Sequence, residues 1–198
     1  MKIILASSSP RRKELMKQLL DTYNIEFEVQ PSDIDEKQLK QTITEPSKLV
    51  EDLSYVKAND IFNKNKNKYD EFIIIGADTI VYFNGRFLGK PKDENDAINM
   101  LEMLQGKMNE VYTGMTVITK IKNIINTKKV SSNSQVYMKN MSNQDILEYI
   151  NTKEPMDKAG AYAIQGIGSK YIEKYIGSFN SIVGLDTEQL EKLIEFSL

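Results

Sequence analysis

Residues 2–20, KIILASSSPRRKELMKQLL, decide the fold class, because they pass from a strand to a helix through one short turn. The opening apolar run predicts a buried strand. Ser9 and Pro10 predict a helix N-terminus, since serine caps helices and proline fits their first turn. Leu15 and Leu19 then lie on one face of the predicted helix. This first segment predicts an α/β fold, in which helices follow strands.

The rest of the chain continues this alternation of strands and helices. The apolar run FIIIG at 72–76 predicts a fully buried strand, and Pro46 opens a predicted long helix. The dipeptide Asn84-Gly85 between two apolar runs predicts a hairpin with a type I′ turn. The polar segment 30–44 is predicted to be a loop. Antiparallel hairpins combined with strand–helix alternation predict a mixed sheet.

The composition excludes several kinds of catalytic site. The chain of 198 residues has no cysteine and no histidine, which rules out disulfides, thiolate-zinc sites and Ser-His or Cys-His triads. Hydrolysis must then use carboxylates, lysines, hydroxyls or a hard metal ion with oxygen ligands. The formal net charge of −2 argues against a duplex-DNA binder. No apolar run approaches the ~20 residues of a membrane span and no signal-peptide pattern is present, so we expect a soluble cytoplasmic protein.

The turn ASSSPRR at 6–12 has the composition of an anion site. A helix N-terminus attracts negative charge through its unpaired backbone N–H groups and its dipole, and Ser7 and the serines after it add hydroxyls. Arg11 and Arg12 supply planar guanidinium groups that match phosphate oxygens. Two cations at this end of a helix oppose its dipole, and a bound polyphosphate would reverse that unfavourable interaction. The alternative is a capped surface helix with solvated arginines.

Carboxylates form the second candidate feature. Asp78 in GADT follows the FIIIG strand, which would place it at the carboxyl end of a strand, where α/β folds bind their ligands. It could hold Mg²⁺ or act as general base toward water, because the chain has no histidine. The alternative is an aspartate that caps a turn. Asp33, Asp35 and Glu36 lie close together in a segment that suits a hard metal ion or a solvated loop.

The glycine- and alanine-rich segment at 154–172 is the third candidate feature. Small residues allow close approach of the backbone to a ligand. Gln165 carries a donor and acceptors, so it could read the edge of a nucleobase. A tight structural turn is the alternative. Lys57 and Lys90 could each reach a phosphate, and each could equally be a solvated surface charge.

These pieces together resemble one family, the Maf proteins, over nearly the whole chain. Five motifs carry the resemblance, in the family's order: ASSSPRR at 6–12, GADT at 76–79, LGKP at 88–91, VYTG at 111–114 and EPMDKAGAYAIQG at 154–166. Maf proteins are nucleoside triphosphate pyrophosphatases once named as septum-formation inhibitors. The resemblance implies one domain over residues 1–198, with two lobes that share a mixed, elongated sheet flanked by helices around a central cleft. That fold is similar to the inosine-triphosphate pyrophosphatases.

The resemblance also implies a reaction and assigns roles to individual positions. A nucleoside triphosphate would be hydrolysed to the monophosphate and pyrophosphate with a divalent metal cation, Mg²⁺ or Mn²⁺. Asp78 would be the catalytic base and a metal ligand, and Glu36 would assist the metal. The residues implied to bind the triphosphate are Ser7, Arg11, Arg12, Lys57 and Lys90.

The family's branches imply a substrate class. Thr79 and Gln165 resemble the branch that acts on dTTP and UTP, and a glutamine amide can pair with a pyrimidine's carbonyl and N3–H. The implied partner is the nucleotide substrate, with no nucleic acid and no membrane, and a homodimer is left open. The alternative function is a non-catalytic nucleotide-binding regulator of cell division.

Two positions depart from the family's pattern. Ser8 stands where close relatives often have glycine or glutamine, and Asp186 stands where the family usually has proline. Loss of that proline is expected to loosen the turn before the last helix without affecting the chemistry. Asp186 or Thr187 is predicted to cap that helix.

Overall fold

The computed structural model describes residues 1–194, in which strands and helices alternate along the chain. The strands are β1 (Lys2–Leu5), β2 (Glu28–Val29), β3 (Glu71–Phe83), β4 (Arg86–Leu88), β5 (Met108–Ile121), β6 (Ile124–Met138) and β7 (Ile172–Ile176). The α-helices are α1 (Pro10–Asp21), α2 (Lys37–Thr42), α3 (Pro46–Asn65), α4 (Glu94–Leu104), α5 (Asn143–Asn151), α6 (Phe179–Val183) and α7 (Thr187–Ile194). Short 3₁₀ helices lie at Glu154–Asp157, Ala159–Ala161 and Gly166–Tyr171.

The strands form one mixed sheet. Their order is β2-β1-β3-β5-β6-β7, and β4 pairs with β3. β1 runs parallel to both β2 and β3. β4 is antiparallel to β3, and β7 is antiparallel to β6. This arrangement confirms the predicted α/β class with a mixed sheet.

The chain folds into two compact units. The first comprises Met1–Asp78, Thr113–Ser132 and the segment that begins at Gly184, and the second comprises Thr79–Tyr112 and Asn133–Val183. Strands β3, β5 and β6 contribute residues to both units. The first unit contains the predicted site residues Ser7, Arg11, Arg12, Glu36, Lys57 and Asp78, and the second contains Thr79, Lys90 and Gln165.

The core of the first unit lies where α3 packs on the sheet. Its buried side chains are Ile4, Ala6, Ala58, Ile61, Phe62, Phe72, Ile74 and Ile118. Full burial of each large apolar side chain contributes roughly 1.5–3 kcal/mol. Pro46 begins α3, and the Glu45 carboxylate caps it by accepting hydrogen bonds from the N–H groups of Ser47 and Lys48. The core therefore fixes α3 against β1 and β3.

Local capping and turn signals in the sequence are confirmed. The Ser9 side chain accepts a hydrogen bond from the N–H of Arg12 at the start of α1. Asn84 and Gly85 have φ values of 47° and 77°, the left-handed conformation that a type I′ turn requires. No helix among residues 1–194 is long and apolar enough to cross a membrane.

Two predictions about elements are wrong. The segment 30–44 is not entirely a loop, because it contains α2, a short helix with no buried residue. FIIIG at 72–76 and IVYF at 80–83, the apolar run before Asn84-Gly85, are not separate strands but parts of the single strand β3, so Asp78 lies inside a strand and not at its end. The strand continues past GADT because its last residues pair with β4.

The turn before α7 is held without the family's proline. Asp186 is buried, and its Oδ1 accepts the N–H of Gln189 at 3.2 Å, which confirms the predicted cap. Its Oδ2 accepts the hydroxyl of Ser132 at 2.6 Å. Side-chain hydrogen bonds therefore restrain this turn where the family's proline ring would have restricted it, and the expected loosening stays a prediction.

Candidate active site

Two glycines let α3 approach the sheet closely. A Cβ atom on Gly76 would lie 2.2 Å from the carbonyl oxygen of Ser54, and one on Gly114 would lie 2.2 Å from that of Val50. The buried hydroxyls of Ser54 and Thr116 are also 2.8 Å apart. The motifs GADT and VYTG thus contain glycine where the helix backbone lies against the strands. This packing fixes α3, which carries one of the predicted site lysines.

Lys57 on α3 contacts two carboxylates. Its ammonium lies 2.7 Å from Oε1 of Glu36 and also donates to Oδ1 of Asp78. The side chains of Lys57, Glu36 and Asp78 are only 16%, 23% and 10% exposed. Glu36 forms a second ion pair with Lys40, one helical turn further along. The two predicted acidic site residues are therefore brought together by one shared cation.

The neighbouring lysines control the charge of Glu36. Burial raises the pKa of its carboxyl, but the charge of Lys57 and hydrogen bonds from Lys40 and Lys57 outweigh burial and hold that pKa below its usual value. Glu36 is thus an anion at neutral pH, as a ligand for a hard cation must be.

Asp78 lies beyond the carboxyl end of β1. Leu5 is the last residue of β1 and pairs with Ile75, and the N–H of Ala6 donates to the Ile75 carbonyl at 2.8 Å. After the paired residues Leu5 and Ile75, the segment from β1 continues as the serine-rich turn, and the segment from β3 continues as GADT. The two motifs therefore start side by side, at Ala6 and Gly76. The strand end that matters for Asp78 is therefore that of its neighbour β1, not its own.

Side-chain hydrogen bonds hold the serine-rich turn and Arg12. The hydroxyl oxygen of Ser7 is buried and accepts the N–H of Ser9 at 3.2 Å. Arg12 donates from Nη1 to that same oxygen at 3.4 Å and from Nε to the carbonyl of Gly184 at 2.8 Å. No pattern in the sequence predicts the part that Gly184 plays, because it acts through its backbone carbonyl.

The charges around Arg12 connect the turn to the carboxylates. Burial lowers the pKa of its guanidinium, the charge of Arg11 adds to that effect, and the charges of Asp78 and Glu36 oppose it. Arginine nevertheless stays charged at physiological pH. The first unit thus gathers cations and anions into one cluster, made of Ser7, Arg11, Arg12, Glu36, Lys57 and Asp78.

The carboxylates of this cluster fit a divalent cation of the hard type. No group of three or more acidic residues that could hold a metal ion is found among residues 1–194. Mg²⁺, however, commonly uses only one or two carboxylates, together with water and substrate phosphates. Glu36 and Asp78 meet that description, since both contact the ammonium of Lys57 and so converge on one position for a cation. Asp33 and Asp35 are exposed.

In the second unit, a backbone hydrogen bond joins the segments that carry Lys90 and Gln165. The N–H of Gly160 donates to the carbonyl of Gly89 at 3.0 Å. Gly160 has a φ of +68°, and a Cβ atom there would lie 3.1 Å from the Val81 side chain. Both predicted site residues are exposed, so their polar ends are accessible to a ligand.

Thr79 shares a strand face with this part of the second unit. It is partly buried within β3, and residues two apart on a strand point to the same face. Thr79 therefore lies on the face that carries Val81, against which Gly160 packs. Thr79 is thus on the same side of β3 as the segment that carries Gln165.

The carboxylate of Glu154 holds the turn that follows Gln165. Its Oε1 accepts the N–H of Ile167 at 3.0 Å, and its Oε2 accepts that of Gly168 at 2.8 Å. No role for Glu154 is predicted from the sequence. The only signal was an acidic residue at the start of a glycine-rich segment, because its partners are backbone groups that no side-chain pattern reveals.

Known proteins resemble this chain over nearly its full length. Residues 2–196 match the family described as Maf-like protein. The dTTP/UTP pyrophosphatase of Caldicellulosiruptor bescii is 44% identical over 98% of this chain and 94% of that protein. That of Clostridium novyi is 44% identical over 98% of this chain and 96% of its own length.

A solved structure, the nucleoside-triphosphatase / dITP/XTP pyrophosphatase of Mycobacterium abscessus, aligns with 70% of this chain and 73% of that one, at 14% identity and a TM-score of 0.38. The family match and the identity to curated relatives, by contrast, extend across both units and all the motifs described above. The chain belongs to the Maf family.

Proposed function

We propose that this protein hydrolyses nucleoside triphosphates, dTTP and UTP above all, to the monophosphate and pyrophosphate. The observation that carries the proposal is the ammonium of Lys57, which is held between Glu36 and Asp78 and lies in the same charged cluster as Arg12. Groups that suit a polyphosphate thus adjoin a carboxylate that can act on water. Relatives with 44% identity are named dTTP/UTP pyrophosphatases, which supports the same substrates here.

The serine-rich turn and its arginines bind the polyphosphate. The dipole of α1 favours negative charge at the N-terminus of that helix, and Ser7 adds a hydroxyl next to Arg12. Arg11 and Arg12 oppose the helix dipole by themselves, and the negative charge of a triphosphate offsets both cations. Their planar groups then stabilise the charge that gathers on the leaving pyrophosphate.

Asp78 acts on the attacking water. Its carboxylate accepts a proton from that water, or orients it, as the water attacks the α-phosphorus. Without substrate, Asp78 is paired with Lys57. With substrate, the ammonium of Lys57 turns to a phosphate oxygen and leaves the carboxylate to the water. Lys57 therefore compensates negative charge in both states.

A divalent metal cation, Mg²⁺ or Mn²⁺, would be held by Asp78 and Glu36. When bound, it neutralises charge that develops on the phosphate oxygens. Glu36 is kept anionic by Lys57 and Lys40 and so remains available as a ligand at neutral pH.

Three predicted site residues of the second unit carry groups that suit a nucleotide. Lys90 is exposed and can pair with a phosphate. Gln165 presents an amide whose donor and acceptor match the O4 and N3–H edge of uracil or thymine. Thr79 lies on the side of β3 that carries the Gln165 segment.

We further propose that residues 1–198 work as one domain with two lobes that share the sheet. We also propose that the protein acts in the cytoplasm and that its partner is the nucleotide, with a homodimer left open.

The test is a panel of nucleoside triphosphates incubated with the protein and Mg²⁺ or Mn²⁺, with release of pyrophosphate as the measurement. We expect the highest kcat/KM for dTTP and UTP. Asp78→Asn should lower kcat by about a hundredfold or more while UTP still binds. Asp70→Asn, which changes an exposed aspartate of the same unit, is the matched control and should keep normal turnover.

Three results would each contradict part of the proposal. A folded protein that binds UTP but releases no pyrophosphate across the panel would favour the non-catalytic regulator of cell division. A clear preference for 7-methyl-GTP would refute the substrate assignment made from Thr79 and Gln165. Near-normal turnover by Asp78→Asn would remove Asp78 from the mechanism.

A further inference from the structure

The part of the turn that follows Gln165 is held by one carboxylate. Glu154 accepts hydrogen bonds from two consecutive backbone N–H groups, those of Ile167 and Gly168, with one oxygen for each. A carboxylate that binds two backbone donors at once fixes the position and the orientation of that backbone. Exposed loops are ordinarily mobile, so this double contact restrains a turn that would otherwise fluctuate.

The part of the turn that precedes Gln165 is held by Tyr149 of α5. The hydroxyl of Tyr149 accepts the N–H of Ala163 at 3.2 Å. Tyr149 is buried and packs on the ring of Tyr171 at a centroid distance of 5.3 Å. Burial, with the nearby Glu154 carboxylate, raises the pKa of the Tyr149 hydroxyl, so it stays protonated.

The turn has glycine at two positions because the side chains of Glu154 and Tyr149 lie very close to its backbone. A Cβ atom on Gly166, which has a φ of +70°, would lie 2.2 Å from Oε1 of Glu154. A Cβ atom on Gly168 would lie 2.2 Å from the hydroxyl oxygen of Tyr149. The sequence Gln-Gly-Ile-Gly thus folds tightly around the two polar groups, with Gln165 outside.

We propose that Glu154, together with Tyr149, is a positioning residue for base selection, because it fixes the turn from which Gln165 meets the nucleobase. This inference rests on the proposed function, in which Gln165 reads the pyrimidine edge. Neither Glu154 nor Tyr149 contacts the substrate in this scheme. Their role is to hold the backbone of residues 163–168 before and after Gln165, so that the side chain of Gln165 starts from a fixed backbone position.

The substrate pair that reports on this role is UTP and CTP. The two nucleotides have the same size, but uracil offers a carbonyl and an N–H where cytosine offers an amino group and an unprotonated nitrogen. A glutamine amide contains both a donor and an acceptor, so it can serve either edge if it is free to reorient. Discrimination against CTP therefore depends on how far the amide can move, and a backbone that is held in place limits the positions that the amide can reach.

The experiment measures kcat/KM for UTP and CTP in variants of the full chain. Glu154→Gln preserves the volume but places an amide NH₂ against one backbone N–H, so one of the two hydrogen bonds is lost. We expect the UTP-to-CTP ratio to fall about tenfold, the equivalent of one hydrogen bond, with little change in kcat for CTP. Amide hydrogen exchange at Ile167 and Gly168 should speed up in the same variant.

Further variants keep the outcome decisive. Glu148→Gln changes an exposed carboxylate on the same helix as Tyr149 and should leave the ratio unchanged. If Glu154→Gln does not fold, Tyr149→Phe, which removes the hydroxyl alone, should lower the ratio in its place. A folded Glu154→Gln or Tyr149→Phe variant with the wild-type ratio overturns the inference.

A Gln165→Ala variant separates this inference from the proposal beneath it. Loss of the ratio in Gln165→Ala with retention in Glu154→Gln would overturn the positioning role alone. A wild-type protein without preference for UTP over CTP, or a Gln165→Ala variant that keeps the preference, would overturn both the base-reading role of Gln165 and the positioning role of Glu154.

Discussion

Lys57 on α3 donates to Asp78 on β3, and both side chains are largely shielded from water, with exposures of 16% and 10%. Glu36 shares the same ammonium. Replacement by Lys57→Met would leave Asp78 without this cation and Glu36 paired with Lys40 alone. We expect the free energy of unfolding to fall by about 2–3 kcal/mol, since removal of one partner from a shielded ion pair leaves an uncompensated charge.

Chemical denaturation at neutral pH, without metal or nucleotide, measures this effect. Lys13→Met changes an exposed lysine on α1 and serves as the control, with an expected change within about 0.5 kcal/mol. Equal losses in the two variants would show that the shared ammonium does not stabilise the fold.

Glu36 makes the free energy of unfolding of the metal-free protein depend on pH in the acidic range. Its pKa in the folded state lies below the usual value of 4.5, so the folded state binds this proton more weakly than the unfolded state does. The stability that Glu36 contributes is present above that usual value and is lost as the pH falls through the lowered pKa. We therefore expect wild type to lose stability more steeply than Glu36→Gln between about pH 5 and pH 3.

Denaturation midpoints at a series of pH values test this prediction. Glu102→Gln, at an exposed position of α4, should reproduce the wild-type pH dependence. Parallel curves for wild type and Glu36→Gln would mean that the lysines around Glu36 do not favour its charged form.

The parts of the site that could be predicted from the sequence depend on local chemistry. Ser9 and Pro10 signal the start of α1 because capping involves neighbouring residues. Asp78 is recognisable as a candidate because it follows a buried apolar run, but its predicted place at the end of that strand is wrong. The length of β3 depends on pairing with β4, whose residues come later in the chain.

The missed features have physical reasons as well. The helix α2 buries no side chain, so it leaves no apolar periodicity in the sequence. The role of Gly184 is exerted by a backbone carbonyl that any residue possesses. The pairing of Lys57 with Asp78 depends on how closely α3 approaches the sheet, and that distance is set by glycines on β3 and β5.

Gly76 provides a direct test of that close approach. A methyl group there would lie 2.2 Å from the backbone oxygen of Ser54, which cannot move without α3. We expect Gly76→Ala to lower the free energy of unfolding by about 2–3 kcal/mol or more, as overpacking against backbone does. Because α3 must shift, turnover of UTP should fall as well.

Gly89→Ala is the matched control for the stability measurement. A Cβ atom at Gly89 has nothing within 4 Å, so its replacement should change stability by no more than about 0.5 kcal/mol. If chemical denaturation gave the same stability for both alanine variants, the close packing of α3 at Gly76 would be refuted.

Arg12 has a structural and a functional role that one substitution can separate. Its Nε donates to the carbonyl of Gly184 at 2.8 Å, and its Nη1 donates to Ser7. Arg12→Lys keeps the positive charge but cannot form this pair of directed bonds. We expect the free energy of unfolding to fall by about 1–2 kcal/mol and kcat/KM for UTP to fall about 10- to 100-fold. The same change at an exposed arginine of β4, Arg86→Lys, should affect neither quantity. If Arg12→Lys matched Arg86→Lys in turnover while losing stability, Arg12 would be a structural residue that does not bind the polyphosphate.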